Sequence, residues 1–195
     1  ENVTRTLELP EVKAPAARPM PAISALDGPV AVTGVSGYTG GHMVRELVHH
    51  GYTVRACLRD ATSWRGQDAI SYLSKLPGVE IHAGCDLFIP GSYDAAFKGC
   101  VGVFHVAAVL GNSTTNQPNA SGDGGKDTYD GGIRGTQNVI DAIDRAGTVK
   151  RLVYTSSMAA VQNGTKGPDH EWTETDWSSD GHDVESPAWQ KNWYG

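Results

Sequence analysis

Val30-Ala31-Val32-Thr33-Gly34-Val35-Ser36-Gly37-Tyr38-Thr39-Gly40 is the stretch that decides the fold. Residues 30–32 are a short apolar run that stops in a glycine-rich turn. Tyr38 to His50 then reads as a helix, with Met43, Val44, Leu47 and Val48 on one side and Gly51 as its stop. Tyr52 to Leu58 follows as a second strand. A strand, a glycine turn, a helix and another strand form a unit whose two strands run parallel. The spacing Gly-x-x-Gly-x-x-Gly gives each glycine its own task. Gly34 permits the tight turn, Gly37 clears room for a pyrophosphate to approach the backbone, and Gly40 lets helix and strand pack closely. The start of the helix adds N–H donors and a partial positive charge suited to phosphate.

The alternation continues outward from this unit. A helical stretch at 68–76 precedes a strand at Val79–Ala83, and a short helix at 90–98 precedes a strand at 101–106. The polar segment 111–125 reads as a loop. Thr128 to Ala146 is a helix with Ile133, Val139, Ile140 and Ile143 at helical spacing, and Arg151–Tyr154 is a fifth strand running into Thr155-Ser156-Ser157. The predicted fold class is therefore α/β: a Rossmann-type, doubly wound parallel sheet with helices on both faces. This domain is expected over 29–195, incomplete at its C-terminal end. Residues 1–28, with Pro10, Pro15, Pro19 and Pro21, are expected to be an extended Pro-rich arm. Where ordered, such an arm must lie against its own domain or a neighbour.

Composition narrows the class. The 195 residues are 39% hydrophobic and carry a net charge of −6, which argues against nucleic acid or an anionic membrane as the main partner. No apolar run reaches the roughly 18 residues of a membrane span. Cys57, Cys85 and Cys100 form no CxxC, so buried thiols in a reducing compartment, cytoplasmic or organellar and not secreted, are expected. The sequons at Asn2, Asn112, Asn119 and Asn163 are then ordinary turn chemistry. His42, His49, His50, His82, His105, His170 and His182 lack ligand spacing, so no metal is expected; His49-His50 instead suit a helix C-terminus.

Val32 to Gly40 and Tyr52 to Asp60 resemble the extended short-chain dehydrogenase/reductases, in particular the dihydroflavonol reductase and cinnamoyl-CoA reductase branch. The resemblance continues through residues 98–108, Gly135-Thr136-Gln137-Asn138-Val139 and 151–157, and so covers about 30–195. Thr33, Gly34, Gly37, Tyr38, Thr39 and Gly40 are the cofactor-binding residues expected of the turn. The residue ending the second strand selects the cofactor, because a carboxylate suits the ribose 2′-OH of NAD and an arginine the 2′-phosphate of NADP. Arg59 occupies that place and points to NADP, since guanidinium matches phosphate bidentately. Asp60 beside it is the competing signal for NAD. The resemblance also implies Asp86 and Leu87 at the adenine, and Val106 and Ala107 behind the nicotinamide ribose.

It further implies catalysis by Ser157 and Tyr194, in which a tyrosine proton and a nicotinamide hydride reach a carbonyl. The family lysine four residues beyond the tyrosine would stand at position 198, past Gly195. A phenol with pKa near 10 must shift about 3 units, or about 4 kcal/mol, to be half ionised at neutral pH. A polypeptide ending at 195 is accordingly expected to bind cofactor weakly and turn over poorly. The leading expectation is an NADP-dependent reductase of a small-molecule carbonyl. A nucleotide-binding but catalytically silent subunit of a larger assembly, contacted by the N-terminal arm, is the alternative. Nucleotide-sugar epimerisation or dehydration would use the same serine and tyrosine, but Arg59-Asp60 and the loop before Tyr194 look less like that branch. The acidic, Trp-containing stretch 169–185 reads either as a substrate rim or as a solvated loop.

Overall fold

The structure is a computed structural model that describes residues 22–109, 124–162, 166–167 and 169–178. Among these, five parallel strands form one sheet: β1 (Val30–Thr33), β2 (Val54–Leu58), β3 (Val79–Ala83), β4 (Gly102–His105) and β5 (Arg151–Tyr154). The spatial order is β3-β2-β1-β4-β5. Helices α1 (Tyr38–His49), α2 (Trp64–Leu73), α3 (Asp94–Phe97) and α4 (Gly124–Ala146) connect them. Val30 pairs with Val54 on one side and Gly102 on the other, which makes β1 the central strand.

Side chains along β1 alternate between two cores, as the two-residue period of a strand requires. Val30 and Val32 meet Val44 and Leu47 of α1 and Leu73 of α2 on one face. Ala31 meets Phe97 of α3 and Val139 and Ala142 of α4 on the other. Helices thus cover both faces, and each fully buried valine contributes about 1.5–3 kcal/mol relative to exposure. This is the doubly wound sheet that the alternation of apolar runs predicts.

Three helix starts lie four residues from those of the sequence reading. Helix α2 begins at Trp64, not at 68, because Ser63 caps it by accepting a hydrogen bond from Gly66 N at 3.2 Å. Only Asp94–Phe97 is helical within 90–98, since Gly91 at φ +80° turns the chain before it. Helix α4 starts at Gly124, four residues before the expected Thr128. Most of the expected arm, residues 1–21, and the greater part of the loop at 111–125 lie outside the described residues. Within residues 22–28, Ile23 packs on its own domain, where the Tyr52 hydroxyl donates to Ile23 O at 2.8 Å and Ile23 joins the α1/α2 core, while Leu26 stands exposed.

Candidate functional site

Strand order reverses at β1, because β2 leaves to one side and β4 lies on the other. The crevice outside the carboxyl ends of such neighbouring strands is where open α/β sheets bind ligands. Thr33 ends β1 there, and Val106 and Ala107 follow β4. The Thr33 hydroxyl ties the two together. Its oxygen accepts from Val106 N and Ala107 N, both at 3.0 Å, and lies 2.8 Å from His105 Nδ1. A hydroxyl has two acceptor sites and one proton. With both acceptor sites filled, Thr33 must donate to Nδ1, so His105 carries its proton on Nε2. Burial holds His105 neutral and pushes its pKa down to about 4.

The glycines close the other side. Gly34 has φ +72°, and a Cβ there would stand 2.8 Å from Ala107 Cα, so both the turn and the clamp require glycine. A Cβ on Gly40 would lie 2.2 Å from the Gly34 carbonyl oxygen, which fixes how closely α1 packs under the turn. Gly37 differs. Its φ is an ordinary −91°, and a Cβ would meet only Gly34 O, at 3.3 Å. The fold thus tolerates a side chain better at 37 than at 34 or 40. Gly37 is exposed at the N-cap of α1, where no side chain caps the helix and the first turn holds no acidic residue. A phosphate group fits this place: apart from Gly34 O no atom crowds the position of a Cβ at 37, and first-turn N–H groups border it. Tyr38 and Thr39 lie exposed at the same helix start, and Tyr38 rests edge-on against His42 with ring centroids 4.5 Å apart.

Arg59 and Asp60 separate in role. Asp60 folds back on its own turn, accepting from Thr62 N and Thr62 Oγ1, both at 2.7 Å, and those bonds hold its carboxyl below the usual range. Its carbonyl accepts from Ser63 Oγ at 3.1 Å. The competing carboxylate is thereby engaged in starting α2. Arg59 is exposed at the end of β2. Beside the glycine turn opens a cleft of about 350 Å³, lined by Ser36, Gly37 and Tyr38 on one wall and Trp64, Arg65 and Asp68 on the other. The Arg65 guanidinium stacks over the Trp64 ring at 5.2 Å. The sequence reading missed Trp64 and Arg65 because it began α2 at 68; the signal was Ser63, an N-cap residue type.

Asp86 and Leu87 are buried just beyond β3 and are held from two directions. Asp86 Oδ1 accepts from Phe88 N at 2.9 Å, while Ser92 Oγ donates to Asp86 O at 2.7 Å. Asn138 of α4 donates to Leu87 O at 2.7 Å, and a Cβ on Gly135 would stand 2.9 Å from Leu87 Cβ. The motif Gly135-Thr136-Gln137-Asn138-Val139 therefore acts by fixing the 86–87 segment.

Ser157 lies past β5 at the same end of the sheet, exposed, and accepts from Ala159 N at 3.2 Å to begin a short 3-10 turn. Thr155 N donates to His105 O at 2.9 Å, which extends the β4–β5 pairing to within two residues of Ser157. Tyr194 lies outside the described residues. Part of the chain leading to it is anchored: buried Asp176 accepts from Thr173 N at 2.8 Å and pairs with His170 at 3.0 Å and Lys166 at 3.6 Å. The Thr173 amide first, then the His170 and Thr173 side chains, lower the Asp176 pKa to about 2. Ser178 N reaches Ala160 O at 2.9 Å and ties that segment to the turn after Ser157.

Known proteins match this arrangement. A bifunctional dihydroflavonol 4-reductase/flavanone 4-reductase of Pyrus communis is 38% identical over 152 residues, 76% of this chain and 41% of that protein. A cinnamoyl-CoA reductase of Medicago truncatula is 36% identical over 141 residues, 71% of this chain and 40% of that protein. The chain thus spans about two fifths of the length of these relatives. Among solved structures, vestitone reductase from Medicago sativa superposes with a TM-score of 0.59 at 29% identity, covering 86% of this chain and 50% of that one. The NmrA-like family profile matches residues 27–173. With its Gly34-Gly37-Gly40 turn, its β1–β4 crevice and these relatives, the chain belongs to the NmrA-like family, of short-chain dehydrogenase/reductase type.

Proposed function

We propose that this chain forms the cofactor-binding part of an NADP-dependent reductase of a dihydroflavonol- or cinnamoyl-like carbonyl. One observation carries the reading: an uncapped α1 start, just after the central strand β1, faces a cleft bordered by Arg65. The α1 N–H groups would hold the pyrophosphate, and Arg59, with Arg65 across the cleft, would hold the 2′-phosphate. Asp86 and Leu87 would border the adenine, and the Val106–Ala107 backbone, set by Thr33, would back the nicotinamide ribose. When bound, NADPH supplies the hydride. Ser157 Oγ would donate a hydrogen bond to the substrate carbonyl oxygen, and the Tyr194 phenol would deliver the proton. The names of the matched relatives support a reductase and this substrate class.

A second reading is a silent subunit docked through its N-terminal arm, of which Ile23 is held on its own domain by Tyr52. Calorimetric titration with NADPH and NADH tests the proposal. NADPH should bind at least about tenfold tighter, a difference of about 1.4 kcal/mol, and Arg59→Asp should remove the preference. Equal affinities, or a preference that survives Arg59→Asp, would refute it.

A further inference from the structure

Cys57 and Cys85 are both buried on the α3/α4 face of the sheet, in one apolar cluster. They meet because of a backbone feature. β3 runs beside β2 with Leu58 opposite Ala83, and Gly84 at φ +84° then turns the chain back. Gly84 N donates to Arg59 O at 3.2 Å and Cys85 N to Leu58 O at 3.1 Å, so residue 85 returns to the level of residues 57–58. Their sulfurs bond to backbone carbonyls of β2 and β3, Cys57 Sγ to Arg55 O at 3.8 Å and Cys85 Sγ to His82 O at 3.4 Å. Neighbouring strands stand about 4.8 Å apart, and a disulfide spans Cα separations of roughly 4.4–6.8 Å.

We propose that Cys57 and Cys85 are a redox-modifiable pair whose disulfide draws the ends of β2 and β3 together and weakens cofactor binding. The coupling rests on the function proposed above, because Cys57 lies two residues before Arg59 and Cys85 immediately precedes Asp86. Closing the sulfurs to the roughly 2.05 Å of an S–S bond would displace both sides of the adenosine site. Cys85 reacts first. Its interaction with the neighbouring Cys57 thiol lowers its pKa, whereas that same interaction and burial hold the Cys57 thiol well up. Ala83 and Gly84 beside it are exposed, which places Cys85 just under the surface. Cys100, also fully buried, is pushed up to about 11 and bonds instead to Ala96 O at 3.3 Å.

The oxidant is a small hydroperoxide. The Cys85 thiolate attacks one peroxide oxygen, the O–O bond breaks, hydroxide leaves and a sulfenic acid forms. Cys57 sulfur then attacks the sulfenic sulfur, the S–O bond breaks and water leaves with the Cys57 proton. Two thiols and one hydrogen peroxide thus give one disulfide and two waters.

The experiment treats the reduced chain with hydrogen peroxide, maps its peptides by mass spectrometry and titrates NADPH before and after. The expected product joins the Cys57 and Cys85 peptides and leaves Cys100 free. Its NADPH affinity should fall about fivefold or more and recover in dithiothreitol, and Cys57→Ser and Cys85→Ser should each abolish the response. Cys100→Ala, which keeps the pair, should respond as the parent does. Survival of all three thiols, a link through Cys100, or unchanged NADPH affinity in the cross-linked chain would overturn the inference. A reduced chain that takes up no NADPH refutes the proposed function, while the peptide map still decides whether the pair cross-links.

Discussion

Gly37 and Gly40 stand three residues apart in the turn, yet a methyl group would be received very differently at each. At Gly40 it would lie 2.2 Å from the Gly34 carbonyl oxygen, so Gly40→Ala must displace backbone and should cost about 1–3 kcal/mol in urea unfolding. At Gly37 it would meet that oxygen at 3.3 Å, a contact that a shift of a few tenths of an ångström relieves, so Gly37→Ala should cost clearly less stability than Gly40→Ala while lowering NADPH affinity. A loss of stability at Gly37→Ala equal to that at Gly40→Ala would contradict the division of tasks. Thr33→Val should be worse than its volume suggests, because it orphans two N–H donors and His105 Nδ1, at about 1–3 kcal/mol for each buried group left unsatisfied. Thr33→Ser should restore most of that loss. The same clamp sets a pH dependence. His105 titrates near 4 when folded and near 6.5 when unfolded, so the unfolded chain binds more protons between those values. Stability is then full above pH 6.5 and falls as pH drops toward 4, by about 3 kcal/mol in all. Urea midpoints measured from pH 7 to 4 should show this slope, and His105→Gln should flatten it.

Helix α2 shows how one capping residue sets the content of the cleft. Ser63 accepts from Gly66 N, Asp60 O accepts from Ser63 Oγ, and a Cβ on Gly66 would lie 1.9 Å from Asp60 O. The helix therefore starts where Gly66 can pass under Asp60, and that start places Trp64 and Arg65 at the cleft. Ser63→Ala should cost about 1 kcal/mol, and Arg65→Glu should weaken NADPH more than NADH in parallel titrations. Equal loss for both nucleotides would remove Arg65 from the 2′-phosphate site. The sequence concealed this element start, because Trp64 and Gly66 are weak helix formers and periodicity emerges only later. Helix α1 was legible at once, since its apolar side repeats cleanly after Gly37. Asp60 was ambiguous for a related reason: a carboxylate after a strand suits either a ribose or its own turn, and only the bonds to Thr62 distinguish them.

At the scale of the molecule, the parallel sheet and its switch point follow from the order of apolar runs and crossover helices, which the sequence states openly. The convergence of Thr33 with Val106 and Ala107 does not, because it joins residues 73 and 74 positions apart through one hydroxyl. Nor does the meeting of Cys57 with Cys85, which depends on the reversal at Gly84. Both are three-dimensional consequences of strand order, and both lie at the carboxyl end of the sheet, where Arg59, Asp86 and Ser157 also lie. The central claim is that this end receives a dinucleotide through the glycine turn. Its most direct test is an NMR titration of the 15N-labelled chain with NADPH, following the backbone amides. The account predicts that the largest shifts fall on Gly34 to Gly40, with a second group at Arg59 to Arg65 and a third at Val106 and Ala107. No shift in the turn, or shifts confined to other residues, would contradict it.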